Sequence, residues 1–220
     1  MEYVREVKLP VRSAEAFAWH ERPGALDRLM PPWESVRVIH REPGIGPGTR
    51  ILLEQRLGPL PMHWLAEHRE YFPPHHFRDV QVQGPFAGWN HLHSFRDSDG
   101  GSILEDRISY QLPGGGLGRW LGSHYTRSQI DRMFRYRHRV TVDDLQAHAR
   151  FRGRKLMRIA VTGASGLVGS ALAPFLTTGG HEVHRRVRKT PGAGEIGWDP
   201  AEGKLEAADL AGFDAIVHLA

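Results

Sequence analysis

The chain contains no cysteine. Disulfides, thiolate nucleophiles and cysteine-ligated zinc are therefore excluded, although that absence alone fixes no compartment. Long apolar runs are also missing. The start, Met1-Glu2-Tyr3-Val4-Arg5-Glu6-Val7, alternates like a strand instead of carrying an apolar signal segment, so a cytoplasmic protein without a membrane span is expected. Charge is nearly balanced. With 29 Lys and Arg against 25 Asp and Glu, the formal net charge is +4, and no nucleic-acid partner is expected. The arginine-rich stretch from Arg132 to Arg158 is interrupted by Asp143 and Asp144, and reads as a solvated helix face running into a linker. Internal repeats and low-complexity tracts are absent.

What the sequence does contain is the run Met157-Arg158-Ile159-Ala160-Val161-Thr162-Gly163-Ala164-Ser165-Gly166-Leu167-Val168-Gly169, an apolar strand leading into glycines spaced three apart. Such spacing builds a cradle for a dinucleotide pyrophosphate. Gly163 permits the sharp turn, Gly166 removes a Cβ from the path of the phosphates, and Gly169 lets helix and strand pack closely. First-turn amides and the positive end of the helix dipole then face the anion. Leu167, Val168, Ala171, Leu172, Phe175 and Leu176 follow at helical spacing up to Gly179-Gly180, with Pro174 as an interior irregularity. Strands are expected at His181–Arg188 and Phe213–Ala220.

With Thr162-Gly163-Ala164-Ser165-Gly166-Leu167-Val168-Gly169, Trp198-Asp199-Pro200 and Asp214-Ala215-Ile216-Val217-His218-Leu219-Ala220 in this order, residues 157–220 resemble the extended and atypical short-chain dehydrogenase/reductases. Within these, the epimerase-like NAD(P)-binding oxidoreductases are the nearest resemblance. It implies a Rossmann domain that binds a nicotinamide dinucleotide, with the pyrophosphate on Gly163, Ala164, Ser165, Gly166, Leu167 and Val168 and the ribose near Leu219 and Ala220. The tyrosine and lysine that handle the proton in such enzymes would lie beyond Ala220, so no catalytic residue is named. These 220 residues are accordingly expected to be part of a longer chain.

In a Rossmann unit an acidic residue about 20 positions beyond the glycines holds the ribose hydroxyls, whereas an arginine there accommodates a 2′-phosphate. Here Arg185, Arg186, Arg188 and Lys189 occupy that region. The resemblance places Arg188 on the phosphate, which favours NADP over NAD; the competing reading is a solvated basic edge.

Upstream of a basic linker, residues 149–156, the pattern changes. A strand at Glu2–Leu9, helices at Ser13–His20 and Gly24–Met30, and strands at Ser35–Arg41, Thr49–Leu57, Met62–Phe72, Phe77–Gln83, Phe86–Phe95 and Ser102–Leu112 lead to one long helix, Leu117–Ala147. Asp97-Ser98-Asp99-Gly100-Gly101 is a hairpin signal. Leu121, Tyr125, Ile130, Met133, Phe134, Val140 and Leu145 are expected to form the helix's inward stripe. With Asp106-Arg107-Ile108-Ser109-Tyr110-Gln111-Leu112-Pro113 and Phe134-Arg135-Tyr136-Arg137-His138-Arg139-Val140, residues 1–148 resemble the cyclase/dehydrase-like members of the START-like, or SRPBCC, superfamily. The resemblance implies a helix-grip fold with a cavity for a hydrophobic small molecule. The whole is read as an α+β helix-grip domain followed by a partial α/β Rossmann domain.

Strand alternation places Trp89, His91, His93 and Phe95 on one face, and Asp106 and Tyr110 on one face of the next strand. Trp89, His91, His93, Asp106 and Tyr110 are the candidate cavity residues. Two imidazoles beside a carboxylate are compatible with a satisfied structural cluster, with orientation of a ligand's polar head, or with acid/base work. Histidines at i and i+2 on a strand can also chelate, with His75, His76 and His124 in reserve, but no spacing matches a zinc motif and no metal is expected.

Three functions remain open: NADP-dependent oxidoreductase or epimerase chemistry with a fused ligand-binding domain, a non-enzymatic sensor of NADP and a lipophile, or a carrier or cyclase in the first domain alone.

Overall fold

In the computed structural model, residues 1–57, 60–187, 195–197 and 210–219 are described. The chain divides into two compact units, Met1–Glu21 with Leu29–Ala149, and Arg22–Arg28 with Arg150–Ala220. The first is an α+β helix-grip unit and the second part of an α/β Rossmann unit.

The first unit begins with β1 (Glu2–Leu9) and α1 (Ser13–Glu21); the short helix α2 (Ala25–Leu29), which follows in the chain, falls almost wholly in the second unit. Six strands come next: β2 (Val36–Arg41), β3 (Arg50–Leu57), β4 (Leu60–Phe72), β5 (His76–Gln83), β6 (Gly88–Ser98) and β7 (Gly101–Gln111). The 35-residue helix α3 (Gly115–Ala149) closes the unit. All seven strands form one sheet in the order β1-β7-β6-β5-β4-β3-β2, each adjacent pair antiparallel. The expected hairpin at Asp97–Gly101 joins β6 to β7, with Ser98 opposite Gly101 and Gly100 at φ +79°.

Every second residue of β7 from Ser102 to Tyr110 is buried, as period-2 alternation requires of a strand covered on one face. On α3 the buried side chains Ile130, Phe134, His138, Thr141 and Leu145 recur at three- and four-residue intervals. Sheet and helix meet in an aromatic-rich core in which Tyr3, Trp89, Ile108 and Tyr110 pack with Ile130 and Phe134. Tyr125 departs from the expected stripe and is 69% exposed. It stands five residues before Ile130, about 140° around the helix from it, so it points away from the sheet. The side chain of Leu121 lies outside the described residues.

The second unit contains β8 (Arg158–Thr162), α4 (Leu167–Thr178), β9 (Glu182–Val187), β10 (Glu195–Gly197) and β11 (Ala215–Val217). Its four strands are parallel, in the order β10-β9-β8-β11. That is the 3-2-1-4 portion of the doubly wound plan, and the order reverses between β8 and β11. Ile159, Ala160 and Val161 are buried, as expected of a parallel strand covered on both faces. The last strand is shorter than Phe213–Ala220. Asp214 fixes its entry, accepting from the Arg158 amide at 2.9 Å and from Lys155 Nζ at 2.6 Å. Leu167 and Val168 do not face inward: α4 buries Gly169, Ala173, Pro174 and Thr178, and the two residues before Gly169 fall on the outer side of that first turn. Among the described residues, no helix is long and apolar enough to cross a membrane.

Candidate functional sites

The carboxyl end of β8 turns at Gly163, whose φ of +63° is a left-handed conformation that an L side chain adopts only under strain. Gly166 caps α4 in an extended conformation and supplies no side chain to the first-turn amides. At Gly169 a Cβ would lie 2.2 Å from Gly163 O and 2.6 Å from Ala164 Cα, so only glycine permits this approach of helix to turn. Nearby, Thr162 Oγ1 is 2.8 Å from His218 Nδ1 and accepts from the Leu219 amide at 3.1 Å. The threonine thus ties the end of β8 to the chain leaving β11, across the crevice where the strand order reverses. These residues form a cradle with helix-end amides that suits a dinucleotide pyrophosphate. Arg188, Ala220 and the Trp198-Asp199-Pro200 run lie outside the described residues. Of the other two basic candidates on β9, Arg185 is exposed and Arg186 is buried.

In the first unit, the register sets Trp89 opposite Tyr110, His93 opposite Asp106 and His91 opposite Ile108, which brings all five candidate cavity residues to one face. Trp89 and Tyr110 join the aromatic core, together with Trp64 and Phe86. The Tyr110 hydroxyl is buried and has no hydrogen-bond partner among the described residues. An open depression of about 570 Å³ borders Trp89 and Tyr110 and runs across the row Val80, Asn90, Ser109 and Glu2; the histidines and Asp106 do not line it.

Asp106 sits at the centre of a polar network instead. Its Oδ1 is 2.9 Å from His91 Nε2, and its Oδ2 is 2.5 Å from His138 Nε2 on α3. His93 Nδ1 lies 2.7 Å from the same Oδ1, at an angle too oblique for a hydrogen bond. A second carboxylate, Asp79 on β5, places Oδ2 3.4 Å from His91 Nδ1 and 3.5 Å from His93 Nε2. Burial raises the cost of ionising Asp106, but His93, His138 and His91 outweigh it and hold the carboxyl well below its usual range. Asp79 behaves alike: burial opposes its charge, and His91 and His93 drive it down. For His91 burial disfavours the cation, yet Asp106 and Asp79 prevail and push it up to about 9. His20 of α1, against His93 at 6.1 Å between ring centres, makes no ion pair among the described residues, and burial lowers it to about 4, with His93 reinforcing and Asp106 opposing the fall. The cluster therefore sets two carboxylates against His91 and His93, with His20 beside them.

Asp79, His138 and His20 are absent from the sequence-derived set. The sequence holds only part of the signal for Asp79 and His138. The β5–β6 hairpin centres on Pro85, which sets Asp79 opposite His91 and Phe77 opposite His93. His138 stands four residues after Phe134, on the same helical stripe. Asp79, His91 and His93 each offer one ligand atom, all within 4.8 Å of one another.

Comparisons with known proteins agree with this two-part architecture. Residues 159–220 match the NAD dependent epimerase/dehydratase family. An epimerase family protein of Mycobacterium leprae is 42% identical over 62 residues, which are 28% of this chain and 20% of that protein. The crystal structure of a nucleoside-diphosphate sugar epimerase from Corynebacterium glutamicum superposes with a TM-score of 0.82 at 32% identity, covering 99% of this chain and 45% of that one. The di-domain aromatase/cyclase StfQ of the steffimycin biosynthetic pathway shares the fold of the first unit, at TM-score 0.52 and 13% identity over 67% of this chain and 51% of its own. The chain thus spans about a fifth of the curated relative and less than half of the epimerase structure. Residues 9–134, more than half of the chain, match the polyketide cyclase/dehydrase and lipid transport family, and the protein belongs to it.

Proposed function

We propose that the second unit binds NADP(H) and serves oxidoreductase or epimerase chemistry, while the helix-grip unit holds a hydrophobic small molecule in a cytoplasmic protein. The observation that carries the cofactor reading is the β8–α4 turn. Gly163 at positive φ, the glycine cap of α4 at Gly166 and the close approach at Gly169 stand together at the carboxyl edge of the sheet, beside the reversal of strand order. Gly163 to Val168 would hold the pyrophosphate, Leu219 and Ala220 would border the ribose, and Arg188 would pair with a 2′-phosphate. The nicotinamide, when bound, supplies hydride transfer. The residues of this chain bind and orient it.

The preference for NADP(H) rests on charge. Glu182, the carboxylate of β9, stands at the start of the strand, where His184 and Arg158 engage it; the strand carries Arg185 and Arg186, and Arg188 follows in the sequence. Titration of nicotinamide fluorescence is expected to give tighter binding of NADPH than NADH, and Arg188→Asp is expected to abolish or reverse the difference. Equal affinities in the unaltered protein would refute the preference, and no binding of either would refute the cofactor reading.

For the first unit, support comes from the family's link to lipid transport, from the aromatic wall of Trp64, Phe86, Trp89 and Tyr110, and from the buried Tyr110 hydroxyl without a partner. A polar atom of a bound lipophile would satisfy that hydroxyl. Titration with planar polycyclic ketones is expected to quench tryptophan fluorescence, and Trp89→Ala should weaken the response. A wild-type signal unchanged at saturating ligand would count against the reading.

A further inference from the structure

We propose that Asp79, His91 and His93 form a binding site for a divalent transition metal, with Zn2+ the best fit and Asp106 as the carboxylate that orients His91. The first argument is geometric. Asp79 Oδ2 lies 3.4 Å from His91 Nδ1 and 3.5 Å from His93 Nε2. These separations are long for N–H···O hydrogen bonds, which cluster at about 2.7–3.2 Å. They match two edges of a tetrahedron instead: metal–ligand distances of about 2.0–2.2 Å place neighbouring ligand atoms roughly 3.3–3.6 Å apart, and the three ligand atoms all lie within 4.8 Å of one another.

The second argument concerns the far side of each ring. A ligating histidine commonly gives its other N–H to a carboxylate, which fixes the tautomer and aims the free lone pair at the metal. Here His91 turns Nε2 to Asp106 Oδ1 at 2.9 Å and leaves Nδ1 facing Asp79. His93 has Nδ1 2.7 Å from the same oxygen, without hydrogen-bond geometry, and leaves Nε2 facing Asp79. His91 is thus held from behind by one carboxylate, and both imidazoles converge on another. Asp106 is itself steadied by His138 through Oδ2.

Donor chemistry selects the ion. Two imidazole nitrogens and one carboxylate oxygen suit zinc and its first-row neighbours better than magnesium or calcium, which prefer all-oxygen shells. Three protein ligands leave a tetrahedral ion one further position, and the Asp79 side chain, 19% exposed, offers the way in while those of His91 and His93 are 4% and 12% exposed. The metal site stands independently of the NADP(H) reading, because all four residues belong to the first unit.

The test uses the whole 220-residue chain, stripped with chelator and reloaded with Zn2+ or Co2+. The 14 histidines could bind zinc elsewhere, so the variants decide. One equivalent should be retained after desalting, and Asp79→Asn and His93→Gln should each weaken binding tenfold or more, while His124→Gln leaves it unchanged. Co2+ should give the intense visible bands of a tetrahedral site. Asp106→Asn, acting through His91, should shift those bands and weaken binding about 10- to 100-fold. Circular dichroism checks that each variant is folded. If a variant unfolds, X-ray absorption of the zinc-loaded wild type replaces it, and should show two imidazoles and one carboxylate. Retention unaltered in Asp79→Asn and His93→Gln, a Co2+ spectrum of octahedral type, or no equivalent retained by the wild type would overturn the site.

Discussion

His138 of α3 and Asp106 of β7 are joined at 2.5 Å between Nε2 and Oδ2, each with its side chain about 95% or more buried. Because the carboxylate is held ionised, the bond fixes His138 as the Nε2–H donor. It fastens the long helix to the sheet at the polar centre of an otherwise aromatic interface.

Replacing His138 with leucine should destabilise the first unit by about 3 kcal/mol, since it leaves a buried carboxylate oxygen without its partner. Urea denaturation in chelator should show a lowered midpoint at unchanged slope. The exposed pair Arg37–Glu54 is the control: at 3.0 Å it is equally well formed, but with the Arg37 side chain 71% exposed, Arg37→Ala should cost less than about 1 kcal/mol. Similar costs for the two substitutions would refute the central role given to the buried bond.

Tyr3 predicts an alkaline limit to stability. Burial pushes its hydroxyl up to about 12, with Arg5 acting against and Asp131 reinforcing the rise. The folded state therefore keeps a proton that the unfolded chain loses near pH 10. The stabilisation from this group is complete below pH 10 and is lost as pH rises from about 10 to about 12. Tyr3→Phe should flatten that part of the pH–stability curve. It should also cost about 1 kcal/mol at neutral pH, because the 3.1 Å bond to Asp131 disappears.

The balance of what the sequence discloses follows from the range of each interaction. Alternation in β6 and β7 put Trp89, His91 and His93 on one face with no further information, because pleating is local. The stripe on α3 was legible at Phe134 and Leu145 but not at Tyr125, where an apolar-looking residue stands off the 3.6-residue period. The glycine turn after β8 was legible because positive φ and close helix packing both leave glycine as their trace. Asp79 was not, since its role depends on pairing β5 with β6, and one residue of slip would turn its carboxylate to the other face. His20 and His138 reach the cluster from helices far apart in sequence, and no local pattern announces such convergence.

Gly169→Val should destabilise the second unit by about 1–3 kcal/mol or more, as an overpacked contact does. The added Cβ meets the backbone of Gly163 and Ala164, which has no flexible end to swing aside. Hydrogen exchange should quicken in β8, α4 and β9. Unchanged exchange throughout these elements would contradict the packing described.

Thr162 gives the last prediction. Its side chain is buried at the end of β8, with Oγ1 next to His218 Nδ1 and accepting from the Leu219 amide. Thr162→Val keeps the β-branched shape that suits a strand and removes the oxygen alone. The Leu219 amide then loses its acceptor, at a cost of about 0.5–1.5 kcal/mol. Because Leu219 is already 39% exposed, water can take over part of that bond, and the loss should be local instead of global. Exchange of the Leu219 amide should therefore accelerate several-fold, while β8 and α4 keep their protection. If Leu219 borders the cofactor's ribose as proposed, the same substitution should weaken NADPH binding by a similar factor. Faster exchange with unchanged affinity would place the cofactor away from Leu219, and unchanged exchange would show that the threonine does not hold this segment.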